Sequence, residues 1–445
     1  MSRPDEAPPA HTRADPNEEA SDPRAARGYD AALLHAFLLE VGRGLSLAGT
    51  AVSETQERLS RIAAANGATE ARVVAFPTVL MISLGPAEQT TVEAIPQRTG
   101  ALRLDQISVL YKIVKDAERG TLPLDKGLER VRGIRAMRPR HGHGVEVLAY
   151  TLRTIGICLI LQPTLLDVTV AAGLGALIGT VVLATENRQS VSVLVPIFSA
   201  ALVAWLTFVA VQHGAADPGL RTMIAPLVMF LPGAALTTAT VELASGEMIA
   251  GASRLVFGGL QMLLLAFGII AGVSLAGLPS HAVPHDVAVN LLGWWAPWLG
   301  VVVFGLATGL SAPRDALGWL LLVLLAAWLG QLVGSWLVNP NVSGFFGALA
   351  MTPLALAIAR LRSGPPAQVT FLPAFWLLVP GAMGLIGVTE IVGNPANAGL
   401  EDLIKPVASI VAIALGVLCG TTIYRGLAAA PKQLSRFRLS GSRPA

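Results

Sequence analysis

From about residue 146 to residue 427 the chain is a succession of apolar runs separated by short polar loops. This limits the fold more than any other feature, because a helix needs about 20 apolar residues to cross the hydrocarbon of a bilayer. Ten runs can be laid out, near 146–163, 165–184, 191–212, 222–245, 251–277, 289–310, 315–338, 342–361, 371–393 and 403–427. Composition agrees: 53% of the residues are apolar and 14% charged, against about 25% charged in ordinary soluble domains. The chain therefore reads as a polytopic membrane protein.

Positive charge orients it. Arg130, Arg132, Arg135, Arg138 and Arg140 precede the first run, and Arg425, Lys432, Arg436, Arg438 and Arg443 stand at and after the end of the last. With both termini cytoplasmic, the inner loops carry Arg188, Arg254, Arg314, Arg360 and Arg362, and the outer loops only Arg221 and Lys405. That is the positive-inside bias, and it favours an even number of spans.

The flanks differ in kind. Residues 1–28 mix Pro, Ala and both signs of charge without an apolar core, so they read as a disordered tail and not a signal peptide. Residues 29–144 have the balance of a small α+β cytoplasmic domain. A helical stretch over 30–66 is expected to break near "GRGLSLAGT". "ARVVAFPTVLMISLG" and "TTVEAI" suit strands. "RLDQISVLYKIVKDAERG", closed by Gly120, and "LDKGLERVRGIRAM" suit helices. The membrane part divides into units 145–280 and 281–427, followed by a basic cytoplasmic tail, 428–445.

One motif occurs in both units. "FLPGAALTTATVE" spans 230–242 and "LVPGAMGLIGVTE" spans 378–390. Pro232-Gly233 precedes Glu242, and Pro380-Gly381 precedes Glu390, by ten and nine residues. Each motif falls in the fourth span of a group of five. Five is odd, so the second group is expected to sit upside down relative to the first, as in many secondary transporters with broken helices at mid-membrane. The expected fold class is thus an all-α polytopic membrane protein, about ten transmembrane helices as two inverted five-helix repeats, preceded by the α+β domain.

Proline disrupts a helix around it. Pro232 is expected to free the carbonyl of Val228, and Pro380 that of Trp376, while the half-helices from Gly233 and Gly381 present amides and a positive dipole end. Free carbonyls beside free amides suit a zwitterion. The candidate substrate-binding residues are Val228, Pro232, Gly233, Thr237, Thr238, Trp376, Pro380 and Gly381; the other reading is a pair of kinks serving helix packing. Thr237, Thr238 and Thr240 suit either a hydroxylated substrate or their own helix carbonyls, and the second half offers only Thr389. Glu242 and Glu390 lie about 15 Å beyond the breaks along a helix. They are either solvated helix ends or protonatable gate residues that couple transport to protons.

Other residues carry weaker signals. Arg153, just inside the first run, is expected to snorkel to the surface. Gln261 and Gln331 read as buried amides bridging helices. Gly175 with Gly179, and Gly305 with Gly309, form GxxxG pairs that favour close packing. Glu54 and Glu57 with Arg58 and Arg61 read as an ion-paired helix face, and His141 and His143 as surface residues. Cys158 and Cys419 give neither a disulfide framework nor a zinc site. No nucleotide-binding, hydrolase or metalloprotease motif occurs. No cofactor, metal or nucleic acid is expected, and an ion gradient remains as the energy source.

The order of "GRGLSLAGTAVSETQERLSRIAAANG", "LDQISVLYKIVKDAERGTLPLDKGLERVRGI", "FLPGAALTTATVELASGE" and "FWLLVPGAMGLIGVTEIV" resembles the bacterial threonine/serine exporter family, of which ThrE is the namesake. The resemblance covers about residues 30–427. It implies a multi-pass protein of the bacterial inner membrane that exports threonine and serine, driven by protons. Some members are split into two chains and linked to dicarboxylate efflux, so a dicarboxylate exporter stays open as an alternative. So does a membrane-tethered enzyme or sensor acting through 29–144, although an anchor needs only one or two spans. A homo-oligomer is compatible with either reading.

Overall fold

A computed structural model of the chain describes residues 30–440 apart from 86–89, 96–100, 162–163, 187, 189–190, 192–193, 214–219, 278–292, 340–341 and 379–399. Helix α1 (Ala31–Leu47) starts at Asp30, whose carboxylate accepts from the amide of Leu33 at 3.0 Å. It runs on through Gly42 and Gly44. At Gly44 a side chain would meet Leu110 at 2.9 Å, and at Gly42 it would meet Leu80, so close packing holds the helix together where propensity alone would break it. The break comes at Gly49, with φ of 74°, before α2 (Val52–Ala65).

Three strands follow: β1 (Arg72–Ala75), β2 (Val79–Ser83) and β3 (Thr91–Ala94). They form an antiparallel meander in the order β1-β2-β3, with Val74 opposite Met81 and Leu80 opposite Glu93. Alternation puts Val73, Ala75, Leu80 and Ile82 on one face, and these join Phe37, Leu59, Ile107 and Leu110 in one core. Helices α3 (Leu104–Glu118) and α4 (Leu124–Gly133) complete this α+β layer. Gly120, with φ of 66°, closes α3 as its sequence suggests.

The rest is apolar helix: α5 (His143–Ile160), α6 (Leu165–Thr185), α7 (Val195–Gln212), α8 (Leu220–Leu227), α9 (Gly233–Ala244), α10 (Met248–Leu275), α11 (Trp295–Gly309), α12 (Leu317–Leu337), α13 (Ser343–Ile358), α14 (Ala367–Leu378) and α15 (Leu400–Ser440). Among the described residues six helices are long and apolar enough to cross a membrane, and α8 with α9, bent by 57°, makes a seventh candidate. Helices α11, α13 and α14 are apolar but shorter. The chain is a multi-pass, mostly helical membrane protein. On α10, Val256, Phe257 and Phe267 face outward, while Gly258, Gly268 and Gly272 face other helices. Large apolar groups outside and small ones inside is the arrangement lipid favours, because only close packing draws helices together there.

Glycines set the closest approaches. A side chain at Gly300 on α11 would meet the Gly156 carbonyl of α5 at 2.6 Å. Gly175 and Gly179 pack on Thr154 and Tyr150 of α5, and Gly305 and Gly309 on Leu321 and Leu317 of α12, so both GxxxG pairs pack as expected. Three more pairs lie beyond that expectation. Gly268 and Gly272 of α10 lie against Ile197 and Ala201 of α7, Gly330 and Gly334 of α12 against Phe346 of α13, and Gly416 and Gly420 of α15 against Phe345 and Thr352 of α13. Helix pairing recurs in the two halves. In the first, α5 packs on α6, α6 and α7 on α8, and α7 on α10; in the second, α11 packs on α12, α12 and α13 on α14, and α13 on α15.

Candidate functional site

The break between α8 and α9 begins with two prolines. Pro226 and Pro232 have no amide hydrogen to donate, so carbonyls one turn earlier need other donors. Between the helices, Val228–Phe230 tightens into one 3-10 turn. The Leu231 amide thereby reaches the Val228 carbonyl at 3.2 Å. This corrects the expectation of a free carbonyl at Val228: tightening the last turn satisfies it. Other elements supply further donors. The Tyr150 hydroxyl of α5 donates to the Pro226 carbonyl at 2.9 Å, and Gln261 Nε2 of α10 donates to the Phe230 carbonyl at 2.7 Å.

Beyond the break, Leu231 is extended and Pro232 precedes the first turn of α9, which has no capping side chain. The opening amides of α9 thus remain without a cap among the described residues, next to buried Pro232 and Gly233. The hydroxyls of Thr237 and Thr240 donate back to Gly233 and Leu236, each at 3.0 Å, the usual fate of threonine in an apolar helix. Half-buried Thr238 makes no side-chain hydrogen bond among the described residues.

The second half repeats one detail. Gln331 Nε2 of α12 donates to the Leu378 carbonyl at 3.3 Å. Leu378 stands two residues before Pro380, as Phe230 stands two before Pro232. Both glutamines bridge helices, as expected from the sequence. Trp376 is half-buried in the last turn of α14. Pro380, Gly381, Thr389 and Glu390 lie outside the described residues.

A carboxylate holds each end of the bent pair. At the start, the Thr222 hydroxyl donates to Asp167 Oδ1 at 2.9 Å. Asp167 also accepts from the Thr164 amide at 3.1 Å, in a capping box that opens α6. The sequence reading missed Asp167, although Thr164 followed by Asp167 ahead of an apolar run is a readable cap signal.

At the other end, Glu242 is fully buried. Its Oε1 accepts from the Val52 amide at 3.0 Å, and its Oε2 lies 3.1 Å from Arg254 Nε of α10. That contact pairs the charges without an aligned hydrogen bond. Ala51, at the N-cap of α2, has no side chain able to cap, so Glu242 supplies the cap from another element and faces the positive helix end. The reading of Glu242 as a solvated helix end is therefore corrected. Nearby, Gln56 Nε2 donates to Glu247 Oε1 at 3.3 Å.

From Arg254 a polar chain runs into the α+β layer. Its Nη2 donates to the Thr50 carbonyl at 3.4 Å, and the Thr50 and Tyr111 hydroxyls meet at 2.9 Å. Arg58 covers the Tyr111 ring at 5.0 Å. Burial pushes the Tyr111 phenol above its ordinary range, so it stays a hydroxyl. Arg58 and Arg61 pair with Glu54 and Glu57, each at 2.8 Å, and converge on Glu118. The ion-paired face is as expected. Arg153 differs from expectation: its guanidinium covers the Tyr150 ring at 5.8 Å, with Nε buried. A cation above an aromatic face is attracted to it, and here it sits beside the bent pair. Among the described residues no group of His, Cys, Asp and Glu side chains could hold a metal.

Two family profiles match the chain: threonine/serine exporter (ThrE) over residues 36–276, and a second threonine/serine exporter profile over residues 297–423. Among curated proteins it resembles pheromone-regulated membrane protein 10 of Debaryomyces hansenii, 26% identical over 265 residues, 57% of this chain and 26% of that protein. The Candida albicans protein of that name is 24% identical over 255 residues, 55% of this chain and 22% of its own length. That of Eremothecium gossypii is 21% identical over 409 residues, 86% of this chain and 53% of its own. The chain thus spans about a quarter to a half of the length of these relatives. No solved structure matches it.

Proposed function

The chain belongs to the threonine/serine exporter family, and on that premise we propose that it is a proton-coupled secondary transporter exporting small hydroxy amino acids, threonine and serine. Exporters of this family are transporters and not enzymes, so the reading as a tethered enzyme is set aside. One observation carries the proposal: the bent α8–α9 pair, with uncapped amides at Gly233 and Ala234 opening α9 at a buried proline break. Helix-end amides attract the carboxylate of an amino acid. The substrate site is proposed at Pro232, Gly233 and Thr238, lined by Val228 and Thr237, and completed from the second half by Trp376, Pro380 and Gly381. Thr238 is the hydroxyl left to meet a hydroxylated side chain.

The plan around this site is ten spans in two inverted units of five, 145–280 and 281–427, with residues 29–144 and both termini on the cytosolic side. Support comes from the recurring helix pairings, from the GxxxG contacts on α10 and α15, and from the two family profiles, which part between residues 276 and 297. Glu242 and Glu390 are proposed to couple transport to protons. Proton uptake at Glu242 would weaken its hold on Arg254 and on α2, which gives protonation a structural consequence.

The test is efflux of labelled threonine, serine and succinate from loaded vesicles, with and without a pH gradient. Threonine and serine should leave, faster with the gradient, and succinate should stay. Efflux of succinate alone would establish the second reading, dicarboxylate export, which Arg153 beside the bent pair favours. In Glu242→Gln, net efflux should lose most of its pH response while substrate counterflow survives. An intact pH response would remove Glu242 from the coupling path.

A further inference from the structure

The α+β layer touches both halves of the helical part. On the first half, Glu242 caps α2 and Gln56 meets Glu247. On the second, the Asp105 amide at the start of α3 donates to the Ser311 carbonyl at 3.1 Å, and Arg140 donates to the Ala312 carbonyl. Apolar contact follows the same lines: Ala250 of α10, Ala312 and Ala316 at the α11–α12 turn, and Val369 of α14 belong to the same buried cluster as Leu59 and Leu110. One core thus joins the layer to the ends of helices from both halves.

Helix α9 is the element best placed to transmit movement of this layer. It is a twelve-residue rod between the break at Pro232 and the turn at Gly246, whose φ is 88°. Glu242 is its one charged residue, and that residue grips the layer. Displacing α2 therefore pulls the rod about 15 Å from the break, with non-helical backbone at both ends.

We propose that residues 31–140 form a clamp across the cytosolic ends of the two halves, latched by the Glu242 carboxylate between Arg254 and the α2 amide, and that the latch must open for export. This rests on the transporter reading above, because alternating access requires those ends to part. The layer is then a working part of the transport cycle and not an appendage. The apolar contacts at Ala312, Ala316 and Val369 tolerate sliding. The capped carboxylate does not, since moving α2 leaves Glu242 buried with one partner fewer, which makes it the release point.

The test locks the latch. In a chain with Cys158→Ala and Cys419→Ala, Gln56→Cys and Glu247→Cys are joined by a short bis-methanethiosulfonate that reduction cleaves. Threonine efflux should fall at least tenfold on linking and return on reduction. Unchanged efflux in the linked protein overturns the clamp. If the unlinked protein exports neither threonine nor serine, the transport reading fails, and the latch is judged by amide exchange instead. In Glu242→Ala the segment 51–55 should exchange about tenfold faster than in the parent, as for a helix that loses a charged cap, with the α3 amides as the reference for intact folding. Equal exchange overturns the latch.

Discussion

Glu242 and Arg254 are a buried charge and its partner, and their value lies in remaining together. Removing one partner strands the other, at about 3 kcal/mol for a pair of this kind. The low end of that range is apt because the Arg254 side chain keeps 16% exposure. Arg254→Met should therefore lower thermal stability of the purified protein more than the double variant Glu242→Gln with Arg254→Met. Equal losses would mean the pair is already broken in the membrane. Gln261 poses a different case. Gln261→Ala leaves the Phe230 carbonyl without its donor, an unmet group costing about 1–3 kcal/mol. Because that carbonyl borders the break, apparent affinity for threonine should weaken more than maximal efflux. Gln331→Ala should do the same through Leu378. A drop in maximal efflux alone would show that the glutamines only hold helices together.

At the scale of an element, the bent pair and the glycine seams make separable demands. Pro232→Ala restores an amide donor where the Val228 carbonyl now depends on a 3-10 turn, and it favours a straighter helix. Export should slow while protein levels stay near normal; wild-type export would make the bend a packing kink. The seams tolerate no bulk. A side chain at Gly272 would run into the Ala201 carbonyl, and one at Gly416 into that of Phe345. Gly272→Leu and Gly416→Leu should each cut the yield of folded protein severalfold, and Gly259→Leu on α10, where nothing lies within 4 Å, should not. Size-exclusion profiles in detergent distinguish the three.

For the whole molecule, the proposed orientation depends on which polar turns share a side. Ser363, exposed just after α13, should react as a single cysteine with an impermeant thiol reagent only when the cytosolic side is open. A cysteine at Ser280, which lies outside the described residues, should react from the other side. Reversed labelling would reject the inverted five-plus-five plan. The α+β layer should then be cytosolic together with Ser363, since it packs on the turns at Ser311 and Glu247.

Local pattern sufficed for much of this. The apolar runs, the strands at 72–75 and 79–83, the GxxxG seams at Gly175–Gly179 and Gly305–Gly309, the Pro–Gly motif and the family itself were legible because composition, periodicity and motif order are carried by neighbouring residues. The glutamines were legible as bridges, but not which carbonyls they reach. What the tertiary structure alone decided are partnerships between distant segments: Glu242 capping a helix 190 residues earlier in the chain, Tyr150 serving the Pro226 carbonyl, and Leu80 and Leu110 keeping α1 whole through two glycines. No periodicity encodes these. A buried polar group takes whatever donor or charge packing brings within about 3 Å, and packing is settled by shape across the whole chain.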